Sequence, residues 1–143
     1  MTLTLDANVW VCALDLSDPA SATCRACLLK AAEKSARLYS PWLLPVEVAA
    51  TIGRKTRDAR QGERAAEWVR RFPGHVWQPL SEACAATAEG FAANLFLRGA
   101  DAIYVAVAHL SGSVLLTYDA EVLERAAKAA RVMTPDAWLK GRV

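Results

Sequence analysis

The sequence predicts an α/β fold of three layers, α/β/α, in which a central, mostly parallel sheet lies between helices. Short apolar segments that suit buried strands alternate along the chain with longer segments of helical periodicity. The chain has 143 residues, of which 54% are hydrophobic, and this is enough to form one core. The sequence has no internal repeat, linker or low-complexity segment. We therefore expect a single domain over residues 1–143.

The first half of the chain contains two predicted strands and four predicted helices. Residues 2–5 alternate Thr and Leu and are predicted to form a strand that ends at Asp6. Asp18 followed by Pro19 is typical of an N-cap and the first helical position. Pro41 and Pro45 bracket a turn. The remaining predicted elements are helices over 8–15, 20–36, about 46–55 and about 59–71, and a strand over 37–40.

The second half begins after Phe72-Pro73-Gly74, a segment that is expected to end the preceding helix. Ser81 is predicted to open a long helix, and Gly99 to close it as the residue after its C-terminus. A turn at residues 111–113 separates an almost wholly apolar helix from a short apolar strand. The predicted elements are strands over 75–80, 114–117 and 132–133, and helices over about 82–97, 102–109 and 120–130.

The net charge of +2 is too small to indicate a nucleic-acid partner, but the basic residues are unevenly distributed. Residues 54–71 contain seven Lys and Arg against three acidic residues. Such a segment suits a polyanion, and it equally suits a solvated helix face. No apolar run is long enough for a transmembrane helix, and the first residues lack a signal-peptide pattern. We therefore expect a cytoplasmic protein that does not enter a membrane.

Several classes of active site do not fit the sequence. Cys24 and Cys27 have C-x-x-C spacing, but no second pair or nearby His completes a zinc site, and we expect buried free thiols. The two histidines, His75 and His109, lie in no motif of a Ser-His-Asp or Cys-His enzyme. The sequence also contains no glycine-rich phosphate-binding loop.

Four acidic residues stand out by position. Asp6 and Asp119 directly follow predicted strands, and the ligand crevice of a parallel sheet lies at the carboxyl ends of its strands. Glu47 and Asp101 are single charges near the starts of apolar helices, where an acid is unfavourable unless it is paired or bound to a metal. A plainer explanation for each acid alone is a favourable interaction with a helix dipole. The four together are less well explained in that way.

Carboxylates that converge repel one another, and a hard divalent cation compensates for this repulsion. Mg²⁺ or Mn²⁺ prefers such oxygen ligands. An acidic cluster with one or two of these ions suits the hydrolysis of phosphodiester bonds, because the cation activates water and neutralises phosphate charge. Asn8 and Thr117, each two positions from one of the acids, are candidates to orient a carboxylate, a water or a phosphate, although turn chemistry also explains them.

Four segments that contain these acids resemble the motifs of PIN domains, and most closely those of VapC-type toxins. They are LDANV at residues 5–9, PVEV at 45–48, LRGADAIYVAVA at 97–108 and VLLTYD at 114–119. They occur in the order of that family and span nearly the whole chain. The third and fourth, which a short glycine turn separates, form the most specific pair.

The resemblance implies a parallel sheet between helices and a metal-dependent endoribonuclease. It implies that Asp6, Glu47, Asp101 and Asp119 are both the catalytic residues and the ligands of Mg²⁺ or Mn²⁺. Asn8 and Thr117 would support them. Glu121 stands where many relatives have a further acid, and its greater length leaves its position open. The resemblance also implies a homodimer and a cognate antitoxin protein whose tail covers the active site.

For an RNA substrate, the basic residues nearest to these segments in sequence are expected to bind it, namely Arg54, Lys55, Arg57 and Arg98. Trp68, on the basic helix, is a candidate contact for RNA or the antitoxin. An alternative function is a catalytically silent PIN-like module that binds RNA or protein. A phosphatase with an Asp nucleophile is a further rival, but it would need a second Asp at position 8, where this chain has Asn8.

Overall fold

The structure is a computed structural model, and it describes residues 1–141. Its centre is a sheet of five strands in the order β3-β2-β1-β4-β5, and every neighbouring pair is parallel. The α/β prediction is therefore confirmed, and the sheet is parallel throughout. The strands are β1 (Thr2–Leu5), β2 (Arg37–Pro41), β3 (His75–Gln78), β4 (Val114–Leu116) and β5 (Arg131–Met133).

Eight α-helices connect and flank these strands within residues 1–141. Parallel strands joined by right-handed crossovers place α1–α4 on one face of the sheet and α5–α7 on the other, because the direction of strand addition reverses after β3. The contacts agree, since α1 packs on α2 and α3, α3 packs on α4, and α5 packs on α6. The helices are α1 (Ala7–Leu14), α2 (Ser21–Glu33), α3 (Leu43–Thr56), α4 (Ala59–Arg71), α5 (Glu82–Leu95), α6 (Gly99–Ser111), α7 (Ala120–Arg125) and α8 (Pro135–Leu139).

The reversal of strand order falls between β1 and β4, which lie side by side at the centre of the sheet. The chain runs outward from β1 through β2 to β3, and then crosses back to β4 and β5. A crevice opens at the carboxyl ends of the strands at such a switch point. Asp6 follows β1 directly, and Thr117 follows β4 directly. The topology therefore brings together two segments that are 111 residues apart in the sequence.

An aromatic cluster fills the core on the α1–α4 side of the sheet. Trp10 is fully buried and makes edge-to-face contacts with Trp68 and Phe72, at 5.9 and 5.1 Å between ring centroids. It also stacks on His75, which stacks in turn on Trp77. All four cysteines are buried and free, as predicted for Cys24 and Cys27.

Some predicted element ends were wrong, for local reasons. Pro19 does not begin α2, because Asp18 accepts a hydrogen bond from the backbone N–H of Ala20 in a turn, and the helix starts at Ser21. Gly99 does not end α5. The left-handed residue there is Phe96, with φ of 54°, and Gly99 is the first residue of α6. Pro45 lies inside α3 near its start, where its missing N–H is not needed.

The last part of the chain also differs from the prediction. The helix predicted over 120–130 ends at Arg125 and continues as a 3-10 turn over Ala126–Lys128. The short helix α8 was not predicted, although Thr134 caps it and Pro135 stands at its start. Within residues 1–141, no single helix is long and apolar enough to span a membrane. Of the described helices, only α5 and α6 taken together, which meet at an angle of 118°, have the length and composition of a membrane-spanning segment.

Candidate active site

The innermost part of the site is a hydrogen-bonded group of Asp6, Asn8 and Thr117 between β1 and β4. The hydroxyl of Thr117 donates to Asp6 Oδ2 at 2.7 Å, and Asn8 Nδ2 donates to the same oxygen at 3.1 Å. Asn8 Nδ2 also lies 3.0 Å from Thr117 Oγ1, and Asn8 Oδ1 accepts from the backbone N–H of Tyr118. The predicted supporting residues therefore contact the Asp6 carboxylate directly and fix its orientation.

Asp119 divides its carboxylate between two contacts. Its Oδ1 accepts hydrogen bonds from the backbone N–H groups of Glu121 and Val122, at 2.9 and 3.1 Å, and so caps α7. Its Oδ2 accepts from Arg98 Nη2 at 2.8 Å. Its own N–H donates to Thr117 Oγ1 at 3.0 Å, which ties Asp119 to the group around Asp6.

Asp101 lies in the first turn of α6, opposite Asp119 across Arg98. Its Oδ2 accepts from Arg98 Nε at 2.8 Å. Arg98 therefore bridges Asp101 and Asp119, and these two carboxylates raise the pKa of its guanidinium, Asp101 more than Asp119. The sequence prediction of Arg98 as an RNA contact did not include this bridge. The spacing of three residues to Asp101 is a helical ion-pair spacing that could have indicated it.

Glu47 reaches the site from α3 and is half-buried. Its Oε1 is buried and has no hydrogen-bond partner within residues 1–141, and the same is true of the Tyr104 hydroxyl on α6. Burial raises the pKa of Glu47, while the nearby Tyr104 hydroxyl opposes the rise and the charge of Asp101 adds to it. A buried carboxylate oxygen without a donor is unfavourable unless another group, such as a cation, satisfies it.

Asp6 lies where its negative charge is strongly disfavoured. Burial raises the pKa of Asp6 to about 6, the hydrogen bond from Thr117 opposes the rise, and the charges of Asp101 and Glu47 add to it. The charges of Asp101 and Glu47 are therefore close enough to Asp6 to disfavour its ionisation. A positive charge in this cleft would lower the pKa of Asp6 again.

All four acids line one cleft of about 340 Å³ at the carboxyl ends of β1 and β4. Asn8, Lys55 and Arg98 line it as well. The sequence prediction missed Cys12, Asp18 and Thr51, which also line the cleft. Thr51 follows Glu47 by four residues on α3, and Lys55 follows Thr51 by four, so helical spacing from Glu47 was a usable signal for both.

Four predicted residues lie outside this lining, and one of them, Thr117, is buried beneath it and contacts Asp6. The Glu121 carboxylate pairs with Arg125 Nη2 at 3.3 Å, on the exposed side of α7. Arg54 and Arg57 are exposed at the end of α3. Lys55 lines the cleft while it pairs with Asp15 at 3.0 Å, so of the four predicted RNA contacts, Lys55 and Arg98 are those at the cleft.

The donor set fits a hard divalent cation. Four carboxylates line the cleft, one of them has an unsatisfied buried oxygen, and Asp6 is destabilised by burial and by its acidic neighbours. As the side chains stand, however, no three acidic, His or Cys groups within residues 1–141 are close enough to hold one ion. Asp101 and Asp119 are instead neutralised by Arg98.

Comparison with solved structures gives the same fold. A structure of VapBC2 from Rickettsia felis bound to a DNA fragment from its promoter has a TM-score of 0.72 at 14% identity, with 94% of this chain and 98% of that chain covered. FitAcB from Neisseria gonorrhoeae has a TM-score of 0.69 at 17% identity, over 93% and 97% of the two chains. PAE2754 from Pyrobaculum aerophilum has a TM-score of 0.69 at 23% identity, over 99% and 94%. At these identities the likeness shows the fold alone.

Comparison at the level of sequence assigns the family. No curated protein matches the sequence closely enough to count as a relative. The family model for the PIN domain matches residues 3–129, which include all four acids of the cleft. PIN domains are generally nucleases. The chain therefore belongs to the PIN domain family, as its four motifs predict.

Proposed function

We propose that this protein is a metal-dependent endoribonuclease, a single PIN domain over residues 1–143 that acts as the toxin of a VapBC-type toxin–antitoxin system. The observation that carries the proposal is the convergence of Asp6, Glu47, Asp101 and Asp119 on one cleft at the switch point of the sheet. Family membership supports a nuclease. The likeness of the fold to chains of toxin–antitoxin complexes supports the finer assignment.

In this proposal the four acids hold one or two Mg²⁺ or Mn²⁺ ions. When bound, such a cation makes water more acidic and neutralises charge on a phosphate. Thr117 and Asn8 hold Asp6 in place through their hydrogen bonds to Oδ2. Lys55 contributes a positive charge at the cleft wall, and Arg54 and Arg57 extend that charge along the exposed end of α3. A single-stranded or looped RNA suits such a site, because its strand is free to enter the cleft.

The test is cleavage of a mixture of structured and single-stranded RNAs by purified protein with Mn²⁺, with Mg²⁺ and with EDTA. Wild type is expected to cleave with either cation and to be inactive in EDTA. Asp6→Asn is expected to lose at least about a hundredfold in rate, which is a typical scale for losing an electrostatic contributor to catalysis. Glu33→Gln removes an exposed acid at the end of α2, which lies near the amino end of β2 and away from the cleft, and this variant is expected to retain full activity.

The same experiment separates the alternative. Equal activity of wild type and Asp6→Asn would contradict the proposal. Binding of Mn²⁺ by wild type without cleavage of any RNA would favour the catalytically silent module.

The proposed antitoxin partner is supported by a groove of about 650 Å³ between the end of α1 and the α3–α4 pair. It adjoins the cleft, because Lys55 lines both. Leu16 and Trp68 line it and remain 76% and 41% exposed. An apolar segment of an antitoxin that bound there would reach the cleft. Leu16→Glu is expected to abolish neutralisation by a co-expressed antitoxin while RNA cleavage by the free protein persists.

The proposed homodimer is supported by a second apolar surface, which we call the α5 patch. Trp42 and Leu80 are 48% and 61% exposed, and the hollows beside them are lined by Ala85, Ala88, Ala92 and Ile103. Large exposed apolar side chains next to a shallow apolar hollow are typical of an interface between protein chains. A second copy of this chain is the occupant that we propose for it.

A further inference from the structure

The guanidinium of Arg98 stands between two of the proposed cation ligands. Its Nε donates to Asp101 Oδ2 and its Nη2 donates to Asp119 Oδ2, both at 2.8 Å. One planar positive group therefore neutralises two carboxylates that come from different elements, the first turn of α6 and the start of α7. No other ion pair of the described residues reaches either carboxylate.

The backbone that carries Arg98 is held in place on both sides. Arg98 is the residue before α6, and it follows the left-handed turn at Phe96 that ends α5. The carbonyl of Phe96 accepts a hydrogen bond of 2.7 Å from Arg125 Nη1, on α7. The segment 96–98 is thus fixed to the same helix that Asp119 caps.

The three side chains differ in burial in a way that permits exchange. The Arg98 side chain is 68% exposed, whereas those of Asp101 and Asp119 are 12% and 20% exposed. The guanidinium can therefore leave for solvent without opening a cavity, while both carboxylates remain in the cleft wall. A compact divalent cation that bound Oδ2 of both carboxylates would compete with the guanidinium, because Arg98 already donates to each of these oxygens.

We propose that Arg98 is an internal competitor of the divalent cation: it neutralises Asp101 and Asp119 in the cation-free protein and is displaced when the cation binds. The displaced guanidinium would move into solvent, to which its side chain is already 68% exposed. This inference rests on the proposed metal site, and it adds that the apparent affinity for the cation is set partly by the protein's own arginine.

The test is calorimetric titration of Mn²⁺, without RNA, into wild type, Arg98→Gln and Arg98→Lys. Arg98→Gln is expected to bind Mn²⁺ more tightly than wild type, on the order of tenfold, because two partly exposed ion pairs no longer compete. Arg98→Lys keeps the charge but not the planar fork that reaches both acids, so an intermediate affinity is expected. Equal or weaker binding by Arg98→Gln would overturn the proposal.

The matched control is Arg37→Gln. Arg37 is an exposed arginine at the first residue of β2, so it lies at the amino end of the strand, whereas the cleft lies at the carboxyl ends. Its substitution therefore makes the same change in net charge away from the cleft. Its affinity for Mn²⁺ is expected to equal that of wild type. An increase as large as that of Arg98→Gln would show a general effect of charge and would contradict the competition.

Displacement can also be followed directly in the wild-type protein by NMR of the arginine side chains. The Arg98 Nε–H signal, which Arg98→Lys identifies by its absence, is expected to be protected from exchange in EDTA and to lose that protection in saturating Mg²⁺. Protection that persists in Mg²⁺ would overturn the proposal. The exchange itself is measured on the wild-type protein, and Arg98→Lys serves only to assign the signal.

These outcomes are separate from those of the proposed function. Tighter Mn²⁺ binding by Arg98→Gln together with no RNA cleavage would support the competition and contradict the nuclease. RNA cleavage together with equal Mn²⁺ affinities of wild type and Arg98→Gln would support the nuclease and contradict the competition. An absence of Mn²⁺ binding in wild type and in both Arg98 variants would contradict the competition and the metal site together.

Discussion

Asp6 is a charged residue in a position that disfavours charge. It is 6% exposed, and two other acids act on its ionisation. Its position at the start of α1 would suit a helix cap, yet its side chain makes no capping bond and accepts instead from Asn8 and Thr117. Its carboxylate therefore adds little to the stability of the metal-free fold, which is typical of a residue retained for function.

Asp6→Asn is therefore expected to stabilise the metal-free protein. The pKa of Asp6 is raised to about 6, so ionisation lowers the stability of the folded state as pH rises from about 4 to 6, and this loss persists above pH 6. Removing the charge should raise the free energy of unfolding at pH 8 by up to about 3 kcal/mol. Urea unfolding in EDTA measures it, and a loss of stability in Asp6→Asn relative to wild type would contradict this account.

His75 makes the opposite contribution to the pH dependence. It lies between Trp10 and Trp77, its Nε2–H donates to the carbonyl of Val69 at 2.8 Å, and its Nδ1 lies 2.9 Å from the Ser40 hydroxyl. Burial lowers its pKa below 6.5. A neutral ring accepts the Ser40 proton at Nδ1, whereas a charged ring cannot.

The folded protein is accordingly expected to lose stability as pH falls below 6.5, because the unfolded chain then binds a proton that the folded chain resists. The measurement is the difference in free energy of unfolding between wild type and His75→Gln, taken from pH 7.5 down to pH 5. That difference should shrink towards acid pH. A difference that stayed constant would show that His75 keeps an ordinary pKa.

At the scale of elements, α3 and α4 pack closely against each other, and Gly62 makes this packing possible. A Cβ atom at Gly62 would lie 2.8 Å from the carbonyl oxygen of Ala49 and 3.3 Å from Gly53. Both neighbours are backbone and cannot rotate away. This pair of helices carries Glu47 and Lys55 to the cleft, and its spacing therefore affects the site.

Gly62→Ala is expected to destabilise the protein by about 1–3 kcal/mol, although alanine has the higher helix propensity by about 1 kcal/mol. Gly90→Ala is the matched control, since Gly90 also lies within a helix and a Cβ atom there meets nothing within 4 Å. The control should gain stability by up to about 1 kcal/mol. Thermal unfolding of both variants tests the difference, and similar changes in both would show that α3 and α4 separate easily.

The sequence predicted the elements more reliably than their junctions. Apolar segments such as the strand at 114–117 and the helix at 102–109 were recognisable because burial demands a long run of the same chemistry. Ends depend on single backbone conformations. Gly99 was predicted to end α5 because glycine favours the left-handed conformation that follows many helices, but Phe96 adopts that conformation instead. No propensity rule indicates Phe at such a position.

The same distinction applies to the site. Each acid was recognisable alone, because a charge at a strand end or within an apolar helix is unusual. The contacts between them depend on side chains from distant segments, such as Asn8 with Thr117 and Arg98 with Asp119. Tertiary packing sets those contacts, and the spacing of residues along the chain did not reveal them.

At the scale of the whole molecule, the two apolar surfaces have no lining residue in common. The groove with Leu16 and Trp68 adjoins Lys55, whereas the α5 patch lies around Leu80 and the start of α5. A self-associated protein would therefore keep the groove free for another chain. This arrangement allows the two proposed assemblies to be tested one at a time.

Leu80→Glu is expected to convert the proposed dimer to a monomer, because a charge would be buried against an apolar hollow. Light scattering after size-exclusion chromatography measures the mass. Leu29→Glu, at an equally exposed leucine on α2, serves as the control and should leave the mass unchanged. A monomer for wild type at micromolar concentration would contradict the dimer.

The double duty of Asp119 bears on how this site would decay in descendants that no longer needed it. One oxygen of its carboxylate caps α7 and the other accepts from Arg98 in the cleft, so its loss would weaken folding as well as the proposed chemistry. Asp6 and Glu47 lend the fold no such support. Selection for stability alone would discard those two first and keep Asp119. In a distant relative, an acid at the Asp6 or Glu47 position is therefore the better sign of a working enzyme, and an acid at the Asp119 position is a poor one.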